Sequence, residues 1–530
     1  MEHVEADTET DRTQRSLRAL LGLPGRKEPI RFKRSRLAVT LSPELANTPQ
    51  GQWAAAMAVN LLFRLKEVNA ITVSTPGNVP VLRHIPLAPG ELAGSLRSLA
   101  ESLSGPQTPY RPEYVEAPDG SDPYDAILSI GDPPKGIRAD RYVVVWADDW
   151  TAYVNCSPPP RSHRPARLPF GAYSAACLGA AELFKHLLVA NYPTVLGAQV
   201  RFLESKCLSL LDFSTTHALN ASRVLDLPEG LDVGPVAVFG CGAGGTACLC
   251  GLASVPGLAG QLVLVDPSRL KVSNLNRYLM TTYADVYAGK RKVDVARQFL
   301  ESRAAQLDVT AYPMSYQEFM AEGAKNALSH DTVIVCTVDN VPTRRAIQSD
   351  LRGFTILDCG VTGTIYAVLK VYYGSGRCLG CKHPLKPDEL EREVASKWGL
   401  SVGEVKELRA RGGVIEERHI QSLARTQGRS ASCLSELLGR EFNEALSITE
   451  CGEAALGYAL DLPDQVATLP FLTTLPGIEV AAEIIKHRYL PQYALRNWYE
   501  HDLLREPKER LHRWKPAIPQ CSLGCLEASG

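Results

Sequence analysis

Two periods of apolar and polar residues run along this chain. Short, β-branched apolar runs stand at residues 124–130 (YDAILSI), 141–147 (RYVVVWA), 236–239 (VAVF), 262–265 and 332–337 (TVIVCT). Such runs, bounded by turn residues, read as strands buried on both faces. Further strands are expected at 70–74, 309–312, 354–358 and 365–372. Longer stretches with helical spacing lie between them, at 53–66 (WAAAMAVNLLFRLK), 94–103, 246–252, from Lys292 onward, 343–351 and 469–489. Strand alternating with helix predicts an α/β chain built on largely parallel sheets.

Composition narrows the class. The chain has 530 residues, which predicts two or three domains rather than one core. Its net charge of −1 gives no reason to expect nucleic acid or an anionic membrane surface as a partner. No apolar run reaches the roughly 18 residues a bilayer span needs. The polar, acidic start (MEHVEADTETDRTQ) does not read as a signal peptide. Fourteen cysteines are scattered rather than framed, which suits a reducing, cytoplasmic location.

The most informative stretch is 236–278. An apolar strand enters a turn carrying Gly240, Gly242, Gly244 and Gly245. A helix comes next, then a second strand that ends on Asp266. This order sets a phosphate at a helix N-terminus and a carboxylate at a ribose. A nicotinamide enzyme would show the same features, so the glycine turn alone does not decide. Three stretches beyond Asp266 do: Ser273-Asn274-Leu275-Asn276-Arg277, then Gly289-Lys290-Arg291-Lys292, then Cys336-Thr337-Val338-Asp339-Asn340. Taken in order, these resemble the superfamily of ubiquitin-activating enzymes and bacterial sulfur-carrier adenylyltransferases (the ThiF/MoeB type). The departures are Tyr278 in place of a glutamine and Val338 inserted before Asp339. A nicotinamide enzyme would give no role to the SNLNR stretch.

The resemblance implies a Rossmann-like mixed sheet that binds ATP and joins a carboxylate to AMP. Gly240, Gly242 and Gly245 would form the cradle, and Asp266 would take the ribose hydroxyls. Asn274, Arg277 and Lys292 would contact phosphates, with Lys290 and Arg291 competing for the last role. Asp339 would hold Mg2+, a hard ion suited to carboxylate oxygen. Each residue also has a plainer reading: Asp266 as a strand-end acid, Asn274 or Asp339 as a helix cap, Arg277 as a surface charge. An arginine from the N-terminal region could complete the ATP site, as in some relatives.

An internal comparison bears on the rest of the chain. Residues 168–186 (LPFGAYSAACLGAAELFKH) align without gaps to 469–487 (LPFLTTLPGIEVAAEIIKH), with eight identities in register. YDAILSI likewise resembles HDTVIVC at 330–336. The expected organisation is a polar tail at 1–37, a degenerate adenylation-like copy at 38–225, and the active domain at 226–375 and 469–530. A helical insertion would occupy 376–468. The copy has no glycine turn and no matching Asn, Arg or Asp, so it is expected to bind no ATP and to complete an internal pseudo-dimer. Whether two chains also pair as a homodimer stays open.

Cysteines supply two further candidates. Cys378-x-x-Cys381 and Cys521-x-x-x-Cys525 suit a structural Zn2+ held by four thiolates, and family members carry such pairs in these places. The second spacing is one residue long, and His383 is an alternative ligand. For a thioester-forming nucleophile, Cys451 sits where the resemblance places one, and Cys433 is the second candidate in a polar loop. A third reading has no catalytic cysteine. The leading function is activation of the C-terminal glycine of a ubiquitin-like or sulfur-carrier protein. It would proceed by adenylation and then thioester formation, with transfer to a conjugating enzyme. Adenylation of a sulfur carrier, peptide or small acid without a thioester is the alternative. A non-catalytic scaffold is the third class, and the intact Arg277, Lys292 and Asp339 argue against it.

Overall fold

The computed structural model describes residues 30, 32–103, 112–115, 123–156, 165–196, 200–216, 225–322, 327–362, 366–372, 376–382, 389–426, 431–442, 445, 469–493, 497–503, 512–515, 517 and 521. The fold is α/β, with two mixed eight-stranded sheets. The first contains β1 (Arg36–Leu41), β2 (Ala70–Ser74), β3 (Glu113–Val115), β4 (Tyr124–Ile130), β5 (Ala139–Ala147), β6 (Thr151–Val154), β7 (Lys206–Ser209) and β8 (Thr215–Thr216). The second contains β9 (Asp232–Phe239), β10 (Ala259–Val265), β11 (Leu307–Tyr312), β12 (Val333–Cys336), β13 (Ile356–Thr362), β14 (Tyr366–Tyr372), β15 (Trp498–Asp502) and β16 (His512–Arg513).

Both sheets have one topology. The first runs β3-β2-β1-β4-β5-β6-β7-β8 and the second β11-β10-β9-β12-β13-β14-β15-β16. In each, the first five strands are parallel and the last three antiparallel. The correspondence pairs β1 with β9 and β4 with β12, as the YDAILSI/HDTVIVC likeness requires.

Six helices matter below: α1 (Pro49–Leu62), α2 (Phe170–Asn191), α3 (Ala243–Ala253), α4 (Lys292–Arg303), α5 (Val341–Asp350) and α6 (Pro470–Tyr489). Helix α1 starts four residues earlier than the expected 53–66 and stops four earlier. Thr48 caps it by accepting from the Gly51 N–H at 3.2 Å, and Pro49 fits the first turn. Helices α2 and α6 carry the repeated segment and pack on each other, with the Phe184 and Phe471 rings 5.6 Å apart. Each repeats a buried ion pair at the same register, Glu182 with Lys185 and Glu483 with Lys486. Lys486 also donates to the Leu210 and Leu211 carbonyls of the first unit, at 2.9 and 3.0 Å. One continuous apolar core therefore runs through both units.

Gly251 of α3 lies against Ala481 of α6, where an added Cβ would sit 2.9 Å from the alanine methyl. Gly477 faces the Gly244 carbonyl in the same way, at 2.5 Å. These close approaches seat α6 against the helix that begins at the glycine turn.

The insertion has its own small core around Val394, Trp398, Val405, Ile420, Leu423 and Phe442, with the Trp398 and Phe442 rings 5.1 Å apart. Its charged run is two helices, Glu389–Trp398 and Val402–Ala410, separated at Gly399, where φ is +63°. The charged run 388–410 reads as continuous helix in the sequence, and the left-handed glycine ends it.

Candidate nucleotide site at the strand ends

Register brings the three critical strand ends level. Val265 of β10 and Cys336 of β12 both pair with Phe239 of β9. Chain order reverses between β9 and β12, so the crevice beyond their carboxyl ends is a topological switch point. Gly240, Asp266 and Thr337 are the next residues on the three strands.

The glycines are there for lack of space. Gly240 has φ +98°, and a Cβ on it would sit 2.9 Å from the Thr337–Val338 peptide. A Cβ on Gly245 would lie 2.1 Å from the Gly240 carbonyl oxygen. Gly242 is the N-cap of α3 and has no side chain to cap the first amides of that helix. Thr337 fastens the turn: its N–H donates to the Phe239 carbonyl at 2.9 Å, and its hydroxyl donates to the Gly240 carbonyl.

Asp266 is buried, 6% exposed. One carboxylate oxygen accepts from the Cys241 N–H in the glycine turn, and the other from the Ser268 N–H, both at 2.8 Å. Lys292 begins α4, and its Nζ lies 3.9 Å from Asp266. Burial alone would lower the Lys292 pKa. Tyr278, Asp266 and Asp339 more than offset that and carry it upward, so the ammonium stays charged. Lys290 pairs with Asp285 at 2.7 Å and Arg291 reaches toward the Pro313 carbonyl at 3.4 Å. Of these three cations, Lys292 is the one beside Asp266.

Tyr278, the departure from the family glutamine, holds the middle of this cluster. Its ring lies 5.3 Å from the Arg277 guanidinium and 5.4 Å from Lys292 Nζ. Its hydroxyl lies 3.6 Å from where a Gly242 Cβ would be. Arg277 is 6% exposed, so it is not a surface charge, and it donates to the Ser273 carbonyl at 2.7 Å and to Asn276 Oδ1 at 2.6 Å. Asn274 is not the cap of its turn: Lys271 is, and Asn274, third residue of the short 3-10 turn Val272–Asn274, accepts from the Lys271 N–H at 3.0 Å through its Oδ1. Asp339 does not cap α5. Asn340 does, accepting from the Thr343 N–H at 2.8 Å. Asp339 is exposed at the crevice, its charge acting on Lys292.

Three cysteines converge far along the chain. Cys378 Sγ lies 3.8 Å from Cys381 Sγ and 3.6 Å from Cys521 Sγ, with the three sulfurs within 4.8 Å of one another. A tetrahedral zinc with Zn–S bonds of about 2.3 Å sets its sulfurs about 3.8 Å apart, so this trio fits one face of such a site. Burial pushes the Cys378 thiol up to about 11, and a bound cation would reverse that. Cys525, the expected fourth ligand, and the alternative His383 lie outside the described residues, as does Cys451. Cys433 falls in a 3-10 turn, Ala431–Leu437, rather than the loop expected for it. The N-terminal tail, source of the expected extra arginine, also lies outside the described residues through residue 29.

Asn60 in α1 and Arg64 just past its end read in the sequence as one face of an amphipathic helix. In the fold their side chains donate to the Leu275, Leu279 and Thr281 carbonyls of the loop that holds Arg277. Among the described residues no helix is long and apolar enough to cross a membrane.

Comparisons with known proteins agree with this geometry. Residues 228–522 match the family model described as ThiF family, and residues 36–194 match one described as BilD N-terminal domain. The uncharacterized protein y4jF of Sinorhizobium fredii is 28% identical over 464 residues, covering 85% of this chain and 81% of that protein. The NEDD8-activating enzyme E1 catalytic subunit of Caenorhabditis elegans is 31% identical over 125 residues, 23% of this chain and 27% of that one. The adenylyltransferase and sulfurtransferase MOCS3 of Culex quinquefasciatus is 28% identical over 148 residues, 28% of this chain and 33% of that one. The chain thus spans a third or less of the length of these two named enzymes. The ThiF match takes in more than half of the chain and every residue of the crevice, and the protein belongs to the ThiF family, within the adenylyltransferase superfamily its loops resemble.

Proposed function

We propose that this protein activates the C-terminal glycine of a ubiquitin-like carrier protein, first as an acyl-adenylate and then as a thioester on its own cysteine. The observation that carries the first step is the convergence of Gly240, Gly242, Gly245, Asp266, Arg277, Lys292 and Asp339 at the level ends of β9, β10 and β12. A carboxylate is a poor electrophile. Activating it needs the α-phosphorus of ATP held in line with the carboxylate and the triphosphate charge neutralised. The amides at the start of α3 and the cations Lys292 and Arg277 suit the phosphates, and Asp266 suits the ribose. Asp339 is the carboxylate that would hold magnesium, which supplies further neutralisation of the phosphates when bound. The carrier carboxylate oxygen bonds the α-phosphorus and pyrophosphate leaves. A thiolate then attacks the acyl carbon and AMP leaves, and the carrier passes to a conjugating enzyme.

Cys451 is the proposed nucleophile and Cys433 the second choice. Relatedness to a NEDD8-activating subunit supports the thioester step, as does an insertion with its own core. The match to MOCS3 supports the alternative, adenylation of a sulfur carrier or peptide without an enzyme thioester. Cys378, Cys381, Cys521 and Cys525 would hold a structural zinc that ties the last strands to the insertion. The N-terminal unit is read as a silent copy that substitutes for a partner subunit. What supports this is the shared strand order, and Leu41-Ser42-Pro43 standing where β9 runs into its glycine turn.

The test is incubation with MgATP and lysate from the source cell, followed by non-reducing gels of wild type, Cys451→Ala and Cys433→Ala. A thiol-sensitive, ATP-dependent adduct lost with one cysteine supports the thioester reading. No adduct, with ATP–pyrophosphate exchange intact, selects the adenylation-only reading.

A further inference from the structure

The segment carrying Asn276, Arg277 and Tyr278 is irregular chain between β10 and α4. Within it the Leu275 N–H donates to the Val272 carbonyl, the Arg277 and Tyr278 N–H groups donate to the Asn274 carbonyl, and the Thr281 N–H donates to the Tyr278 carbonyl, all at 3.1–3.2 Å. Leu275, Leu279 and Thr281 are buried, at 0%, 4% and 1% exposure. Buried carbonyls need partners. Those partners come from the other unit.

Arg64, just past the end of α1, is 1% exposed. Its guanidinium donates to the Leu275 carbonyl at 2.6 Å, the Leu279 carbonyl at 3.0 Å and the Thr281 carbonyl at 3.2 Å. Its Nε donates to Asn60 Oδ1 at 2.8 Å, and Asn60 Nδ2 donates in turn to the Leu279 carbonyl at 3.1 Å. Asn60 and Arg64 are four residues apart and share one helical face. A planar fork with five donors can meet three carbonyls at once, and a lysine nitrogen cannot span them in the same way. The three accepting carbonyls bracket Asn276, Arg277 and Tyr278 on both sides.

We infer that Arg64, braced by Asn60, is a positioning residue for the nucleotide site. On this view the N-terminal unit sets the geometry of the loop that presents Arg277 and Tyr278 to the phosphates. The inference rests on the adenylation reading for its consequence, though not for its geometry. It gives the N-terminal unit a task that needs no nucleotide of its own. On this view Arg64 acts on the site through the 275–281 backbone.

The experiment uses the full chain as wild type, Arg64→Met, Arg64→Lys, Asn60→Ala, Arg277→Ala and the Arg64→Met/Arg277→Ala double variant. Calorimetric titration with MgATP reads binding. Arg64→Met is expected to weaken binding by about tenfold or more, with far-UV circular dichroism unchanged. The double variant is expected to bind within about twofold of Arg277→Ala alone, because residues acting through one another do not add. Arg64→Lys, which keeps the charge and loses the fork, should fall between wild type and Arg64→Met. Binding by Arg64→Met within about twofold of wild type, or losses that multiply in the double variant, would overturn the inference. If Arg64→Met does not fold, Asn60→Ala decides: a loss of about threefold supports the inference and none overturns it. Hydrogen exchange gives a readout free of nucleotide. Faster exchange confined to 272–282 in Arg64→Met supports the clasp, and unchanged or chain-wide exchange overturns it. Wild type that fails to bind MgATP would sink the adenylation reading, and the exchange result would still decide the clasp.

Discussion

Lys486 offers the sharpest test of how the two units are joined. Its side chain is wholly buried, paired to Glu483, bonded to the Leu210 and Leu211 carbonyls and set 4.5 Å from the centre of the Phe213 ring. Burial pulls its pKa down, and Glu483 opposes that. Lys486→Met keeps length and volume and removes the charge. It leaves Glu483, 0% exposed, without its cation, and two carbonyls of the first unit without their donor. Breaking a buried pair from one side costs about 3–5 kcal/mol, most of it from the stranded charge. The carbonyls add to this, at about 1–3 kcal/mol for each group left unsatisfied, less what relaxation recovers. Glu483→Leu/Lys486→Met removes both charges and should recover most of the loss, since the stranded carboxylate is gone. Urea unfolding followed by tryptophan fluorescence is the assay. A single variant as stable as wild type would refute the reasoning. So would a double variant damaged as badly as the single one.

Other consequences rest on named groups. Burial, helped by Lys185, holds His501 down at about 3, so it stays neutral in the fold and takes a proton once unfolded. Stability from this group is complete above about pH 6.5 and drains toward pH 3, by at most about 1.4 kcal/mol per pH unit. His501→Gln should flatten urea midpoints between pH 4 and 6 relative to wild type, and an unchanged slope would count against it. Glu479 has the opposite sign: burial raises its carboxyl well above 4.5, so the fold keeps a proton that the unfolded chain releases. Stability should fall as pH rises past about 4.5, and Glu479→Gln should be the more stable protein at pH 8 by thermal melting. Gly245→Ala places a methyl 2.1 Å from the Gly240 carbonyl and should abolish ATP–pyrophosphate exchange without unfolding the chain. Elemental analysis should find about one zinc per chain, and chelation should lower thermal stability while MgATP binding persists. Less than half a zinc per chain would remove the metal from the account.

The parts of this molecule that are readable in the sequence share one property: their reason is local. A glycine turn between β-branched strands, an acid at the end of the next strand, and a lysine opening a helix each show in a few residues. Helix ends moved where the cap lay outside the apolar pattern, as with Thr48 before α1. Strands β1, β3, β6, β7, β8, β15 and β16 are not among the expected ones. Strand β1 begins at Arg36, inside the stretch 1–37 that reads as a polar tail because its charged residues mask the buried Phe32 and Leu37. The others are short or antiparallel strands toward the sheet edges, which carry little periodic signal. The aligned Glu–Lys positions were visible as identities, but their meaning as buried pairs at the junction of the units came only with the fold. Arg64 was invisible for the same reason. Its partners are backbone carbonyls more than two hundred residues away, and carbonyls carry no sequence. Tyr278 looked like a mere departure and turned out to lie between the two cations.

The most direct test of the central claim is the stoichiometry and location of nucleotide binding. Isothermal titration of the full chain with MgATP should give about one site per chain, since the strand ends of one sheet carry a glycine turn and those of the other do not. Asp266→Ala should bind far more weakly at that site. Two equivalent sites per chain, or binding unchanged by Asp266→Ala, would contradict the assignment of one working unit and one silent one.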